Sequence, residues 1–209
     1  MGLQRAEPIL VLASSSATRQ ALLARAGMAF EAMPAAVDEA ALKEACQAEA
    51  IPPEDAAIIL AEAKAERVAR RVPDALVIGC DQLLVCRMED GRERWFDKPA
   101  DLTAARAQLQ TLRGKTHRLV TATVAWRKGA RIWQDITSPR LTMRDFSDTF
   151  LDSYLAAEGE ALLASVGGYR VEALGIHLFS RIEGEHSAIL GLPMVPLLGF
   201  LRGHGVLEG

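Results

Sequence analysis

Cysteine is scarce, and the three present (Cys46, Cys80 and Cys86) are an odd number with no Cys-x-x-Cys pair. That argues against a disulfide framework or a thiolate zinc site and fits a reducing, cytoplasmic setting. An excess of positive charge is also lacking. Twenty-four Lys and Arg stand against 27 Asp and Glu, a formal charge of −3, so neither nucleic acid nor an anionic membrane is an expected partner. Any handling of anions must fall to a local cluster of cations. Long apolar runs are missing too. The stretch from Ile189 to Leu201 is interrupted by Pro193 and Pro196 and falls short of the ~20 residues of a membrane span. Ile9 to Ala13 is shorter than the roughly 7–15 apolar residues of a signal core. No internal repeat, low-complexity tract or linker rich in Gly, Pro and Ser divides the chain, and one domain over residues 1–209 is expected.

What is present is a globular composition, 50% hydrophobic and 24% charged, with material for a buried core. Ile9-Leu10-Val11-Leu12-Ala13 reads as a strand buried on both faces. It stops at Ser14-Ser15-Ser16, and a helical pattern runs from Thr18 to a stop at Gly27. Phe30 to Met33 is a candidate second strand. The Ala- and Glu-rich segment Glu39 to Arg71 is split into two helices by Pro52-Pro53, and Ile58, Ala61, Ala65, Val68 and Val72 form a helical core stripe. Ala75 to Cys80 is another buried strand ending at Asp81-Gln82, extended by Leu83 to Cys86 and turned at Asp90-Gly91. A helix over Leu102–Leu112, with Thr103 as a possible cap, precedes a strand from His117 to Trp126. Gly129 then makes a hairpin to a strand over Arg131–Met143. A helix over Ser147–Glu158, a strand over Gly175–Ile182 and a helix from Pro193 to Arg202 complete the pattern. Strands alternating with helices, then a hairpin, predict an α/β fold with a mixed twisted sheet flanked by helices.

Several residues invite chemistry. A short serine loop between a buried strand and a helix start aims N–H groups and hydroxyls at one point, a ready anion site. Arg19 in the first helical turn adds a forked cation. The same serines also read as plain helix caps. The loop has neither the glycines nor the Gly-Lys-Ser/Thr ending of a Walker loop, and it is not a Gly-x-Ser-x-Gly elbow. Asp81 at a strand end stands where open α/β sheets place ligands, and a buried carboxylate there must be paired, metal-bound or hydrated. Taken singly, Lys64 and Lys98 read as solvated lysines and Glu39 as an acid at a helix N-terminus. Glu172 lies in a Gly-rich stretch that is no dinucleotide fingerprint, and His117, His177, His186 and His204 lack metal-ligand spacing.

Together the segments LASSSATRQALL, VDE, LAEAKAERVA, VIGCDQ, FDKP, LRGKTHRLVTA, EALGIHLFSRIEG and ILGLPM resemble the Maf family of nucleoside triphosphate pyrophosphatases, in the family's order over nearly the whole chain. The resemblance implies two lobes around a deep cleft, a homodimer, and nucleotide hydrolysis with Mg²⁺ or Mn²⁺. By position it implies Ser14 and Arg19 as phosphate-binding groups, Lys64 and Lys98 as catalytic cations, Asp81 as proton acceptor, and Glu39 with Asp81 as metal ligands. Three further positions, Thr18, Gln82 and Glu172, separate this chain from the branch acting on thymidine and uridine triphosphates, which carries Arg, Thr and Gln there. They resemble instead the branch acting on 7-methylguanosine triphosphate. A carboxylate at Glu172 suits a guanine edge, accepting from N1–H and the exocyclic amine. The alternatives are a pyrimidine or broad-specificity pyrophosphatase, and a non-enzymatic nucleotide-binding regulator of cell division.

Overall fold

The computed structural model describes residues Leu3 to Glu208. In chain order it runs β1 (Leu10–Leu12), α1 (Ala17–Arg25), β2 (Glu31–Ala32), α2 (Glu39–Ala48), α3 (Pro53–Ala69), β3 (Leu76–Arg87) and β4 (Glu93–Phe96). There follow α4 (Leu102–Leu112), β5 (Thr116–Arg127), β6 (Ala130–Thr137), β7 (Arg140–Met143), α5 (Asp148–Glu158), β8 (Phe179–Glu183), α6 (His186–Ile189) and α7 (Met194–Gly203). Among the described residues the eight strands make one mixed sheet of order β2-β1-β3-β5-β7-β8, with β4 beside β3 and β6 beside β5. The expected α/β class is what the molecule adopts. Packing divides the chain into two compact units, the first holding residues 1–81, Thr121–Thr137 and 186–209, the second Gln82–Val120 and Ser138–Glu185.

The first unit is the parallel part. β1 pairs in parallel with both β2 and β3, and Leu10, Val11 and Leu12 are at most 1% exposed, as continuous apolar strands covered on both faces must be. Side chains along β3 alternate between faces. Leu76, Ile78 and Cys80 join a core with Leu12, Leu23, Leu197 and Leu201 from β1, α1 and α7. The opposite face carries Val77, Gly79 and Asp81. A Cβ at Gly79 would stand 2.3 Å from the Ala61 carbonyl oxygen and 2.8 Å from Ala65 Cβ of α3, so helix and strand approach more closely than any side chain there allows.

The second unit is antiparallel. Leu84–Arg87 of β3 pairs with Phe96–Glu93 of β4, and β7 pairs with Thr116–Arg118 of β5 and with β8. His117 is 2% exposed, shares a 2.7 Å hydrogen bond with the Tyr169 hydroxyl and packs near Phe179. Burial without a countercharge holds its imidazole neutral, with the pKa lowered from 6.5 to about 3.

Four local expectations differ from the structure. Asp81 is not at a strand end, since β3 continues unbroken from Leu76 to Arg87. The strand expected over Arg131–Met143 breaks into β6 and β7 at Ser138-Pro139, where proline cannot donate to a ladder. The cap of α4 is Asp101, whose carboxylate accepts from the Ala104 N–H, not Thr103. The strand expected from Gly175 starts only at Phe179; Leu174–Leu178 is a 3₁₀ turn whose first N–H is taken by the Glu158 carboxylate rather than by a neighbouring strand.

Two outcomes follow from these contacts. Gly79→Ala is expected to lose ~1–3 kcal/mol by overpacking α3 against β3, read as a Tm lower by several degrees in a thermal melt. Between pH ~6.5 and ~3 the unfolded chain holds a proton on His117 that the folded protein excludes. Stability is therefore expected to fall as pH drops through that window, by up to about 1.4 kcal/mol per pH unit. Urea unfolding of wild type and His117→Gln across this range checks it, the variant showing the shallower slope.

Candidate active site

β1 delivers the chain to Ser14, which is buried at 7% exposure. Its Oγ accepts from the Ser16 N–H at 3.2 Å, while Ser16 caps α1 by accepting from the Arg19 N–H at 3.3 Å. The serines thus cap the helix, and in doing so they fold the loop back onto Arg19. The Arg19 fork is used in a way its sequence position does not disclose. Nε donates to the Gly191 carbonyl at 2.7 Å, and Nη1 donates to the Cys80 carbonyl at 2.9 Å and to Ser14 Oγ at 3.4 Å. Nη2, without a partner among the described residues, is the nitrogen left to meet an anion. Thr18 is half-buried in the first turn of α1.

Cys80 completes this junction. Its buried thiol donates to the same Gly191 carbonyl at 2.9 Å and lies 3.4 Å from Thr123 Oγ1. It behaves as a small core residue with a hydrogen bond, not as an accessible thiol. The segment before α7 is held by further side chains, Thr121 Oγ1 donating to Ala188 O and Ser187 Oγ accepting from the Met194 N–H. Gly191 and Ser187 were not singled out from sequence. The only signal for Gly191 was the ILGLPM string, which says nothing of its partner Arg19, 172 residues away, and Ser187 lies outside that string.

One residue beyond Cys80 the alternation turns Asp81 to the α3 face. Lys64, three positions after Ala61 on that helix, meets it there. Lys64 Nζ donates to Asp81 Oδ1 at 2.5 Å and pairs with Glu39 Oε1 at 2.9 Å. Both Lys64 and Asp81 side chains are under 10% exposed, whereas that of Glu39 is 46% exposed. Asp38 caps α2 by accepting from the Ala41 N–H, which sets Glu39 in the first helical turn. Lys64, expected as a solvated lysine when taken alone, is instead a buried cation between two carboxylates. Asp81 Oδ2 is buried and has no hydrogen-bond partner among the described residues, which a native protein rarely leaves without reason.

The remaining expected residues belong to the second unit. Gln82 is half-buried on β3, Lys98 is exposed in the irregular stretch after β4, and Glu172 is exposed in a turn. The first unit therefore holds two groups of contacts, Ser14 with Arg19 and Glu39 with Lys64 and Asp81, joined through the backbone of Cys80 and Asp81, and the second ends on an unpartnered carboxylate oxygen.

Comparison with known proteins shows the family. The family model described as Maf-like protein matches residues 9–204. A protein of Granulibacter bethesdensis named nucleoside triphosphate pyrophosphatase is 52% identical over 95% of this chain and 98% of its own length. Proteins of Rhizobium meliloti and Mesorhizobium japonicum, both named 7-methyl-GTP pyrophosphatase, are each 46% identical, over 97% and 96% of this chain and 99% and 98% of their own. With nearly every residue from the first strand to the end of the last helix matched, the chain belongs to the family of Maf-like proteins.

Proposed function

We propose that this protein is a nucleoside triphosphate pyrophosphatase, cleaving between the α and β phosphates to give a monophosphate and pyrophosphate. The observation that carries the reading is Asp81: a buried carboxylate whose Oδ1 is tied to Lys64 and whose Oδ2 has no partner. With Oδ1 taken by Lys64, Oδ2 is the oxygen left to orient a water and accept its proton as the water oxygen attacks the α-phosphorus. The bond from that phosphorus to the bridging oxygen breaks, and pyrophosphate leaves with the electron pair. Arg19 Nη2 and the serine loop hold phosphate oxygens. Lys98 is assigned, on the family resemblance, to the charge that gathers on the leaving phosphates.

The charges of Glu39, Asp81, Lys64 and Arg19 cancel, which leaves a polyphosphate unneutralised. Two carboxylates, one with an unpartnered oxygen and the other half-exposed, fit a hard divalent cation that keeps waters and substrate oxygens as its other ligands. Glu39 and Asp81 would hold Mg²⁺ or Mn²⁺. Such an ion would offset phosphate charge and polarise the phosphoryl group. Among the described residues no helix is long and apolar enough to cross a membrane. Three buried free thiols support a cytoplasmic setting, and a homodimer is proposed from the resemblance alone.

For the base we propose 7-methylguanosine, recognised by Glu172; Gln82 and Thr18 are assigned to base selectivity on the family resemblance alone. Two relatives named 7-methyl-GTP pyrophosphatase support it, as does the acceptor-only chemistry of a carboxylate against a cationic purine. Wild-type enzyme is expected to show a higher kcat/KM for 7-methylguanosine triphosphate than for uridine triphosphate, and a substrate panel measured with Mg²⁺ decides it.

Asp81→Asn is expected to lower kcat by ~10²–10⁴-fold while the fold persists, since Lys64 keeps Glu39 as its partner. Retention of more than about a tenth of wild-type turnover would take proton transfer away from Asp81. The two lysines separate by stability. Lys64→Ala strands a buried carboxylate and should cost ~3–5 kcal/mol together with turnover. Lys98→Ala, at an exposed position, should lower kcat with the Tm unmoved.

A further inference from the structure

The turn that carries Glu172 is held by a residue outside the reacting centre. Glu158, the last residue of α5, has a side chain only 1% exposed. Its Oε2 accepts from Arg170 Nε at 2.9 Å and from Arg170 Nη2 at 2.6 Å, and its Oε1 accepts from the Leu174 N–H at 2.8 Å. Arg170 and Leu174 are the two residues that stand two positions before and after Glu172. One buried carboxylate therefore pins both sides of the five-residue turn. Tyr169, just before it, is anchored on His117, and the crowding of Gly175 by the Arg170 carbonyl leaves the turn little room to relax.

Glu158 also decides what Arg170 does. The Arg170 side chain is a third exposed, and its proton is held more tightly than usual, first by the hydrogen bonds it donates to Glu158 and also by the charges of Glu158 and Glu172. Two carboxylates thus compete for one cation. As long as Glu158 takes Nε and Nη2, the guanidinium stays against α5, and Glu172 keeps its acceptor capacity for another ligand. Released, Arg170 lies two residues from Glu172 in a tight turn and carries a planar fork suited to a carboxylate.

We infer that Glu158 is a positioning residue for base selectivity: it fixes the 170–174 turn and sequesters Arg170, so that Glu172 remains open to the hydrogen-bond donors of a cationic purine. This rests on the reading of Glu172 as the base-recognising group.

The test compares kcat/KM for 7-methylguanosine and uridine triphosphates in wild type, Glu172→Gln, Glu158→Gln and the double variant Glu158→Gln/Arg170→Gln. Glu158→Gln keeps the size and the Leu174 acceptor but surrenders Arg170. It is expected to narrow the selectivity ratio by about tenfold or more, chiefly through a higher KM for the methylated substrate. Removing the liberated guanidinium in the double variant should restore most of the ratio, a rescue that a purely structural loss would not show. Where Glu158→Gln does not fold, Glu158→Asp, with the charge kept and the reach shortened, is expected to narrow the ratio by a smaller factor. An unchanged ratio in Glu172→Gln removes the base-recognition reading, and this inference with it. A narrowed ratio in Glu172→Gln with an unchanged one in Glu158→Gln, or no recovery in the double variant, overturns the inference alone.

Discussion

A lysine and an aspartate buried against one another set the terms for the first unit. Neither Lys64 nor Asp81 can be placed in an apolar interior alone, because each ion would forfeit several kcal/mol of hydration. Their meeting requires α3 to lie close on β3, and that closeness requires Gly79, where even a methyl group would strike the Ala61 carbonyl. The small residues Ala57, Ala61 and Ala65 along the helix serve the same approach. Packing and ion pair thus depend on each other. What the pair leaves over, the Asp81 oxygen that Lys64 does not take, is the group available for chemistry.

A second constraint works through the backbone of β3. Alternation sends Cys80 and Asp81 to opposite faces, and both are used. On one side the Cys80 thiol and carbonyl join Arg19 and the Gly191 carbonyl, tying the serine loop to the segment before α7. On the other, Asp81 meets α3. Arg19 spends most of its fork on this structural tie, so its anion-binding capacity is a remainder, as that of Asp81 is. A preorganised site needs its groups held by neighbours rather than by ligand, and here the holding bonds and the offered atoms belong to the same side chains.

The second unit solves a similar problem differently. Its ion pair, Glu158 with Arg170, joins the end of a helix to a turn without regular strand structure. A buried carboxylate that accepts both a charged fork and a backbone N–H fixes a conformation that local propensity would not hold. His117, buried and neutral beside Tyr169, adds rigidity at the turn's entrance and makes that rigidity sensitive to acid.

Sequence by itself determined the elements whose cause is local. Within the run from Ile9 to Ala13, Leu10–Leu12 is the doubly covered strand while Ile9 lies outside it and is exposed; Pro52-Pro53 divides α2 from α3 and Ser16 caps α1, because side-chain periodicity and backbone chemistry act within a few residues. It also marked Asp81, since a carboxylate following an apolar run demands compensation. Only the tertiary structure decided what supplies that compensation. It brought Lys64 to Asp81, set Glu39 on Lys64, gave Arg19 a carbonyl partner 172 residues away, and tied Leu174 to Glu158 where the 3₁₀ turn replaces the start of the strand expected from Gly175. The physical reason is common to all four. Each depends on which group the fold sets within 3 Å of another, and a hydrogen bond or ion pair of that length has no periodicity along the chain to betray it.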